Sequence, residues 1–301
     1  MMNDVSGREG VRLNKWIAES GFCSRREADR LIGMITPVVF SRGENDDSQI
    51  AEFAEYLRAS RGAETRIIKN DVIEISSTEL RSALSGRGGR EYLPDGVYEY
   101  VIAHRLYGAK PDFIWLREQA YAMLKPKRVP HVMGCEEEAV KLAARWGADE
   151  DDAREAAILH DITKKLTLDE QLLLCEKYGI INDNVEMKTL KLLHAKTGAA
   201  VARDRFGVSD AVYDAIRWHT TGCAGMTLLE KVIYLADYIE PTRDFPGLET
   251  LRRLCYEDLD SALLLGLQTS VEDIESYGET PHERTLEAIE YLLTAKEKGI
   301  R

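Results

Sequence analysis

The stretch Ala156–Lys165, AAILHDITKK, carries the adjacent pair His160-Asp161 inside what reads as an ordinary amphipathic helix. Neighbouring residues on a helix point about 100° apart. A His beside an Asp therefore seldom grips one ion unless other segments bring ligands to meet them. The chain offers such segments. His131 follows KRVP, His194 is expected to end a Leu-rich helix with Gly198 close behind, and His219 precedes Thr220-Thr221-Gly222. Asp237 follows the apolar VIYLA, where a carboxylate is expensive to bury unless paired or metal-bound. A lone histidine on a helix is usually structural or at the surface, and His104 and His282 are read that way. Several neutral imidazoles converging with carboxylates suit a metal centre instead.

The surroundings of these residues are helical. EEEAVKLAARWG (136–147) sets Ala139, Leu142, Ala143 and Trp146 on one stripe and closes on Gly147. The acids of ADEDDAREAAIL suit a helix N-terminus. LDEQLLLCEKYG, MKTLKLLHAKTGAAVARDRFG, DAVYDAIRWHTTG and LLEKVIYLADYIEPTR follow, each punctuated by Gly or Pro. The pattern predicts one all-α domain over 112–301, so the chain as a whole is expected to be mainly α.

Bulk composition narrows the function classes. With 44% hydrophobic and 31% charged residues the chain reads as soluble and globular. Its net charge of −12 argues against broad nucleic-acid binding, but not against a nucleotide held through a metal. No apolar run approaches the roughly 20 residues needed to span a bilayer, and the start MMNDVSGREG lacks a signal-peptide core. The 5 cysteines are scattered without a CxxC pair, which fits reduced thiols in the cytoplasm. Cys135 and Cys223 stand four residues beyond His131 and His219 and read as small apolar filler.

The front of the chain reads differently. VRLNKWIAESGFCSRREADRLI (11–32) suggests two short helices, the second capped by Ser24 with Glu27 in a capping box. TPVVFSR (36–42), ETRIIKN (64–70) and VIEIS (72–76) read as strands, with a helix over 47–60 between the first two. ISSTELRSAL (75–84) opens another helix at Ser76 or Ser77. Its hydroxyls and Arg81 make either a plain N-cap or an anion site.

Two resemblances attach to these segments. RLNKWIAESGFCSRREADRLI resembles the S4-like RNA-binding domain at the front of bacterial ribosomal pseudouridine synthases, which implies RNA binding by residues 1–34. The strands that complete such a domain do not follow. ISSTELR with YLPDGVYEYVIAHRLYG (92–108) resembles the carboxyl half of bacterial nicotinate-nucleotide adenylyltransferases, a partial Rossmann-like α/β fragment over 35–111. The resemblance implies ATP-phosphate contacts by Ser76, Ser77, Thr78 and Arg81, yet the GxFDPxHxGH loop of that family is absent. A half-sheet should leave apolar surface and strand edges open. Residues 1–110 are accordingly expected to be marginally stable and without adenylyltransferase activity, either as a fusion remnant or as an assembly error.

The order H…HD…H…H…D over 112–301 resembles the HD-domain phosphohydrolases, and within them the YqeK-type symmetrical bis(5'-nucleosyl)-tetraphosphatases. KRVPHVMGC, LHDITKK, LLHAKTGA, AIRWHTTG and YLADYIEPTR carry that likeness. The resemblance implies symmetrical cleavage of diadenosine tetraphosphate to two ADP at a di-metal site, with Asp161 bridging. His131, His160, Asp161 and Asp237 would hold one ion, and Asp161, His194 and His219 the second. Iron is the family precedent, and mixed nitrogen and oxygen ligation also suits manganese. Lys164 is expected to stabilise phosphoryl charge or to pair with Asp161. Arg128 and Arg243 are candidate phosphate clamps, and Thr220, Thr221 and Gly222 candidate nucleotide contacts. Another HD-type nucleotide hydrolase is the competing reading, an oligomer is compatible with either, and an adenylyltransferase label for the middle segment is the weakest as an activity.

Overall fold

The computed structural model describes residues 24–32, 34–40, 46–69, 73, 75–183 and 185–298. The chain divides into two compact units, residues 1–79 and 80–301. The first of the two helices expected over 11–32 lies outside the described residues. Its successor is present as α1 (Arg25–Ile32), and Ser24 and Glu27 form the expected reciprocal cap: the Ser24 N–H donates to Glu27 Oε2 at 3.0 Å and the Glu27 N–H to Ser24 Oγ at 3.3 Å.

In the first unit, β1 (Val38–Phe40) and β2 (Arg66–Ile68) pair in parallel, Val39 opposite Ile67, with α2 (Asp46–Arg61) as the crossover between them. Val72 and Glu74 of the strand expected over 72–76 lie outside the described residues, and Ile73, Ile75 and Ser76 are not in a strand. A small core of Ile32, Leu57 and Ala63 is buried, while Val38 and Phe40 are more than half exposed, as expected of a half-sheet. Next comes α3 (Ser77–Ser85), capped by Ser76: Glu79 N–H donates to Ser76 Oγ at 3.2 Å and Ser76 N–H to Glu79 Oε2 at 2.8 Å. This is the plain N-cap; the carboxylate of Glu79 takes the position at the helix start that an anion would seek. Arg81 lies over the ring of Tyr107.

The second unit is all-α among its described residues. It comprises α4 (Asp95–Ala103), α5 (Phe113–Ala122), α6 (Val129–Trp146), α7 (Glu150–Leu159), α8 (Leu168–Tyr178), α9 (Leu190–Phe206), α10 (Asp210–Trp218), α11 (Leu228–Ile239), α12 (Leu248–Glu257), α13 (Leu259–Ser276) and α14 (Glu283–Glu297). Local chemistry sets the ends. Gly147 takes φ 83° and closes α6, Asp149 caps α7, and Thr167 with Glu170 and Thr227 with Glu230 form capping boxes on α8 and α11.

One continuous core joins these helices, and it begins earlier than the sequence boundary at 111/112. Leu84, Tyr98, Val101, Ile102 and Ala109 share it with Ile158, Ile216 and Leu235. Residues 80–110 are therefore not the exposed remnant expected of them. Arg87 and Arg105, both at positive φ, converge on the buried Glu155 of α7 at 3.1 and 2.7 Å. Gly207 ends α9 so close to α4 that a Cβ there would lie 2.6 Å from the Ala103 carbonyl oxygen. Within the bundle α6 packs on α7 and α11, and α10 packs on α9 and α11. That arrangement points the ends of several helices at one place.

Candidate metal centre

His160 and Asp161 do not lie mid-helix. α7 ends at Leu159, His160 is its C-cap, and Asp161 stands in the turn that follows. The angular objection to adjacent ligands thus disappears, because a turn lets both side chains face one centre. His160 Nδ1 donates to the Ala157 carbonyl at 2.7 Å, satisfying a carbonyl at the helix end. His219 repeats the device as C-cap of α10, its Nδ1 2.6 Å from the Ile216 carbonyl oxygen. In both residues Nδ1 carries a proton engaged at the helix end, and Nε2 points inward.

His131 enters from the first turn of α6 and His194 from the second turn of α9. The helix carrying His194 does not end there. It runs through Gly198, where a Cβ would lie 3.3 Å from the His160 carbonyl oxygen, so the glycine serves close approach to the turn rather than termination. Asp237 comes from the last turn of α11.

Asp161 organises the cluster. Its Oδ1 lies 3.1 Å from His194 Nε2 and 3.7 Å from His219 Nε2, whereas Oδ2 lies 3.4 Å from His160 Nε2 and 3.9 Å from His131 Nε2. Each oxygen faces one pair of histidines. Asp237 Oδ1 joins the second pair, 3.0 Å from His131 Nε2. Two imidazole nitrogens face each other at 3.4 Å (His131 and His160) and two more at 3.1 Å (His194 and His219). With the Nδ1 protons of His131, His160 and His219 committed elsewhere, such lone pairs repel unless a cation or proton lies between them. The residues present therefore fit a metal, and two groups of them, His131-His160-Asp237 and His160-Asp161-His219, converge closely enough to hold one.

The ionisation states agree. Burial pushes the Asp161 carboxyl up, but the charge on His160 and hydrogen bonds from His160, His194 and His219 outweigh it and hold it well below the usual range. Asp237 is likewise held well below, burial being outweighed by His131 and nearby positive charge. Burial lowers His194 to about 4 and lowers His219, in each case against a hydrogen bond with Asp161. Burial also opposes charge on His160, yet Asp161 and Cys135 raise it well above the ordinary value. His194 and His219 are thereby held neutral beside ionised carboxylates, the state in which they are ligand-ready, whereas His160 holds a proton that a bound cation would displace.

Three cations surround the acids. Arg128 Nε lies 2.5 Å from Asp161 Oδ2, Lys164 Nζ 3.1 Å from Asp161 Oδ1, and Arg243 Nη2 2.7 Å from Asp237 Oδ1. Lys164 makes the salt bridge that was one of its two expected roles. Thr221 and Gly222 build the turn after His219: the Thr285 hydroxyl donates to the Thr221 carbonyl at 2.9 Å, and Gly222, at φ 65°, lies against Leu267, Met226 and Ala288. Thr220 is partly exposed in the same turn.

Two features escaped the sequence reading. Glu240, fully buried, accepts from His131 Nδ1 at 2.9 Å and orients that ring. Its signal was available: it stands three residues after Asp237, as the C-cap of α11. A buried polar chain also ties the turn to its neighbours. The Thr163 hydroxyl donates to the His194 carbonyl at 2.9 Å, Gln171 Nε2 donates to the Thr163 carbonyl at 2.7 Å, and Thr197 bonds to Gln171. A third His/Asp/Glu group, Asp183-Glu186-His282, lies apart. There His282 Nδ1 accepts the Arg284 N–H at 3.1 Å, so Nε2 carries the proton and donates to Asp183 at 2.9 Å, while Lys196 pairs with Glu186. It is an ion-pair clamp, in keeping with the structural reading of His282.

Comparison with known proteins follows the same lines. The HD domain family matches residues 128–242. The symmetrical bis(5'-nucleosyl)-tetraphosphatase of Bacillus subtilis is 42% identical over 164 residues, covering 52% of this chain and 86% of that protein. A Mycoplasma genitalium protein named "Probable nicotinate-nucleotide adenylyltransferase/Ap4A hydrolase" is 27% identical over 203 residues, 65% of this chain and 54% of that protein. A solved structure from Clostridium acetobutylicum, described as a predicted HD superfamily hydrolase involved in NAD metabolism, superposes with a TM-score of 0.60 at 34% identity. It covers 62% of this chain and 99% of its own.

Proposed function

This chain belongs to the HD-domain family of symmetrical bis(5'-nucleosyl)-tetraphosphatases, and from that premise we propose that it hydrolyses diadenosine tetraphosphate at the middle of the phosphate chain, releasing two ADP. The observation that carries the reading is Asp161, whose two oxygens face separate pairs of histidines. His131, His160, Asp161 and Asp237 would hold one ion, and Asp161, His194 and His219 the other. Nitrogen and oxygen donors without thiolate suit iron, with manganese as the other fit. Cys135 adds no thiolate, because burial pushes its thiol up. The chemistry a divalent pair supplies when bound is Lewis-acid polarisation of a phosphoryl oxygen and a lowered pKa for water.

The chain's own groups orient and neutralise. Arg128 and Lys164 flank Asp161 with positive charge on both oxygens, and Arg243 does so at Asp237. These cations face the place where charge grows on the attacked phosphate. ADP departs through a phosphate oxygen that is stable as an anion, so the chain needs no strong general acid. Thr220 is the member of the HTTG segment left available to the nucleotide.

The test is product analysis with the full chain supplied with ferrous or manganous ion. ADP as sole product supports the reading. ATP plus AMP, or nucleoside plus tripolyphosphate, overturns it. Residues 35–111 we read as akin to the carboxyl half of an adenylyltransferase, without that activity; the joint name of the Mycoplasma relative supports the kinship. Formation of nicotinate adenine dinucleotide from ATP and the mononucleotide would refute the second part.

A further inference from the structure

Beside the metal centre, the segment Leu124–Arg128 and the turn at Lys164-Lys165 enclose a cavity of about 300 Å³. Its lining is Leu124, Lys125, Lys127, Arg128, Lys164 and Lys165. All but one of these residues are cationic and none is acidic, in a chain whose net charge is −12. Like charges gathered in one concavity repel each other and focus a field that recruits anions.

The centre accounts for only part of this charge. Arg128 and Lys164 bond to Asp161, and Lys165 Nζ donates to the Ala122 carbonyl at 2.9 Å. Lys125 and Lys127 are exposed, and neither ammonium group makes a hydrogen bond or ion pair with a described residue. The buried Nη2 of Arg128 has no hydrogen-bond partner either, the nearest acid, Asp237 Oδ1, standing off at 3.7 Å. An orphaned buried guanidinium donor calls for an acceptor. Arg128 reaches both the cavity and Asp161, so whatever occupies the cavity is continuous with the reacting centre.

We propose that this groove holds the far half of the substrate: the two phosphates beyond the scissile bond, gripped by Lys125 and Lys127 and by the free donor of Arg128. The inference rests on the polyphosphate hydrolase reading and adds to it a means of counting phosphates. The cavity has room for a diphosphate, and its lining has nothing aromatic on which a base would stack. Lys125 and Lys127 thus act in binding and discrimination rather than in the chemical step.

The test compares the full chain with its Lys125→Gln/Lys127→Gln double variant. Lys69→Gln/Lys298→Gln removes the same charge from exposed positions outside the groove and serves as control. The double variant should raise KM for diadenosine tetraphosphate roughly ten-fold with little change in kcat. It should weaken ADP binding measured by calorimetry, and flatten the dependence of KM on sodium chloride. Lys125→Arg/Lys127→Arg should restore most of the affinity. The inference falls if KM and ADP affinity in the double variant match those of the control. If diadenosine tetraphosphate proves not to be cleaved while ADP binding still depends on the two lysines, the groove stands and the substrate reading fails.

Discussion

Nδ1 of His131 donates to Oε1 of Glu240 at 2.9 Å, across 109 residues of sequence. Glu240 also accepts from the Thr242 N–H at 2.6 Å and from the Thr242 hydroxyl, so its carboxylate is held in place before it orients the ring. α6 lies against it at Gly134, where a Cβ would stand 2.7 Å from Glu240 Oε2 and 2.9 Å from Pro241 Cδ. Carboxylates behind a ligating histidine fix its tautomer and raise its basicity. Glu240→Gln and Gly134→Ala should each weaken metal binding by about 10–100-fold. Competition with a chelator of known affinity measures this, and wild-type affinity in both variants would remove Glu240 from the centre.

Asp161 and Lys164 separate metal binding from charge stabilisation. Asp161→Ala removes the one group that faces all four histidines, and should abolish turnover and lower the bound metal. Lys164→Ala should slow turnover by about 10²-fold while metal content stays at the wild-type level. Elemental analysis alongside kinetics reads both, and full activity with retained metal in Asp161→Ala would end the two-ion reading.

Glu155 anchors residues 80–110 to the bundle. It is 3% exposed and takes Arg87 and Arg105 together. Glu155→Ala leaves the partly buried Arg105 without an acidic partner, while Arg87 keeps only Asp151 at 3.0 Å, and should destabilise the protein by about 3 kcal/mol. On the same logic a fragment 80–301 should unfold cooperatively near the temperature of the full chain's helical unit. A fragment 112–301, which lacks Tyr98 and Ile102 from the core, should unfold well below it. Equal melting temperatures for the two fragments would show that the segment before 112 is dispensable.

The chain Thr163-Thr197-Gln171 holds the turn of His160-Asp161 against α9. Thr163→Val keeps the shape of the side chain but removes the donor to the His194 carbonyl, and leaves polar partners buried. It should cost about 1–3 kcal/mol in stability and loosen metal binding as well, because Asp161 and His194 are positioned through it. Denaturant unfolding and metal titration on one preparation measure both; a variant that loses stability alone would confine the network to structure.

Much of this was legible in the linear order. A carboxylate after VIYLA and histidines set among apolar helices are chemically out of place, and that alone marks them. Glycines, prolines and capping residues near helix ends located most elements. Helix ends at ligands were less visible. His160 was expected mid-helix and His194 at a helix end, and the structure reverses both. Periodicity registers which face is apolar, whereas termination of α7 depends on His160 closing the Ala157 carbonyl and on the passage of α9 at Gly198. The same applies to residues 80–110, whose likeness to another family suggested separation from the bundle although their side chains complete its core.

By itself the sequence determined the helical class of the larger unit, the inventory of imidazoles and carboxylates, and the prominence of His160-Asp161. Those follow from local side-chain chemistry and spacing. Only the tertiary structure decided that Asp161 turns one oxygen to each pair of histidines, that Glu240 stands behind His131, and that five cations collect beside them. Such relations depend on where a ring nitrogen points and which helix crosses behind it, and packing sets these among residues far apart along the chain.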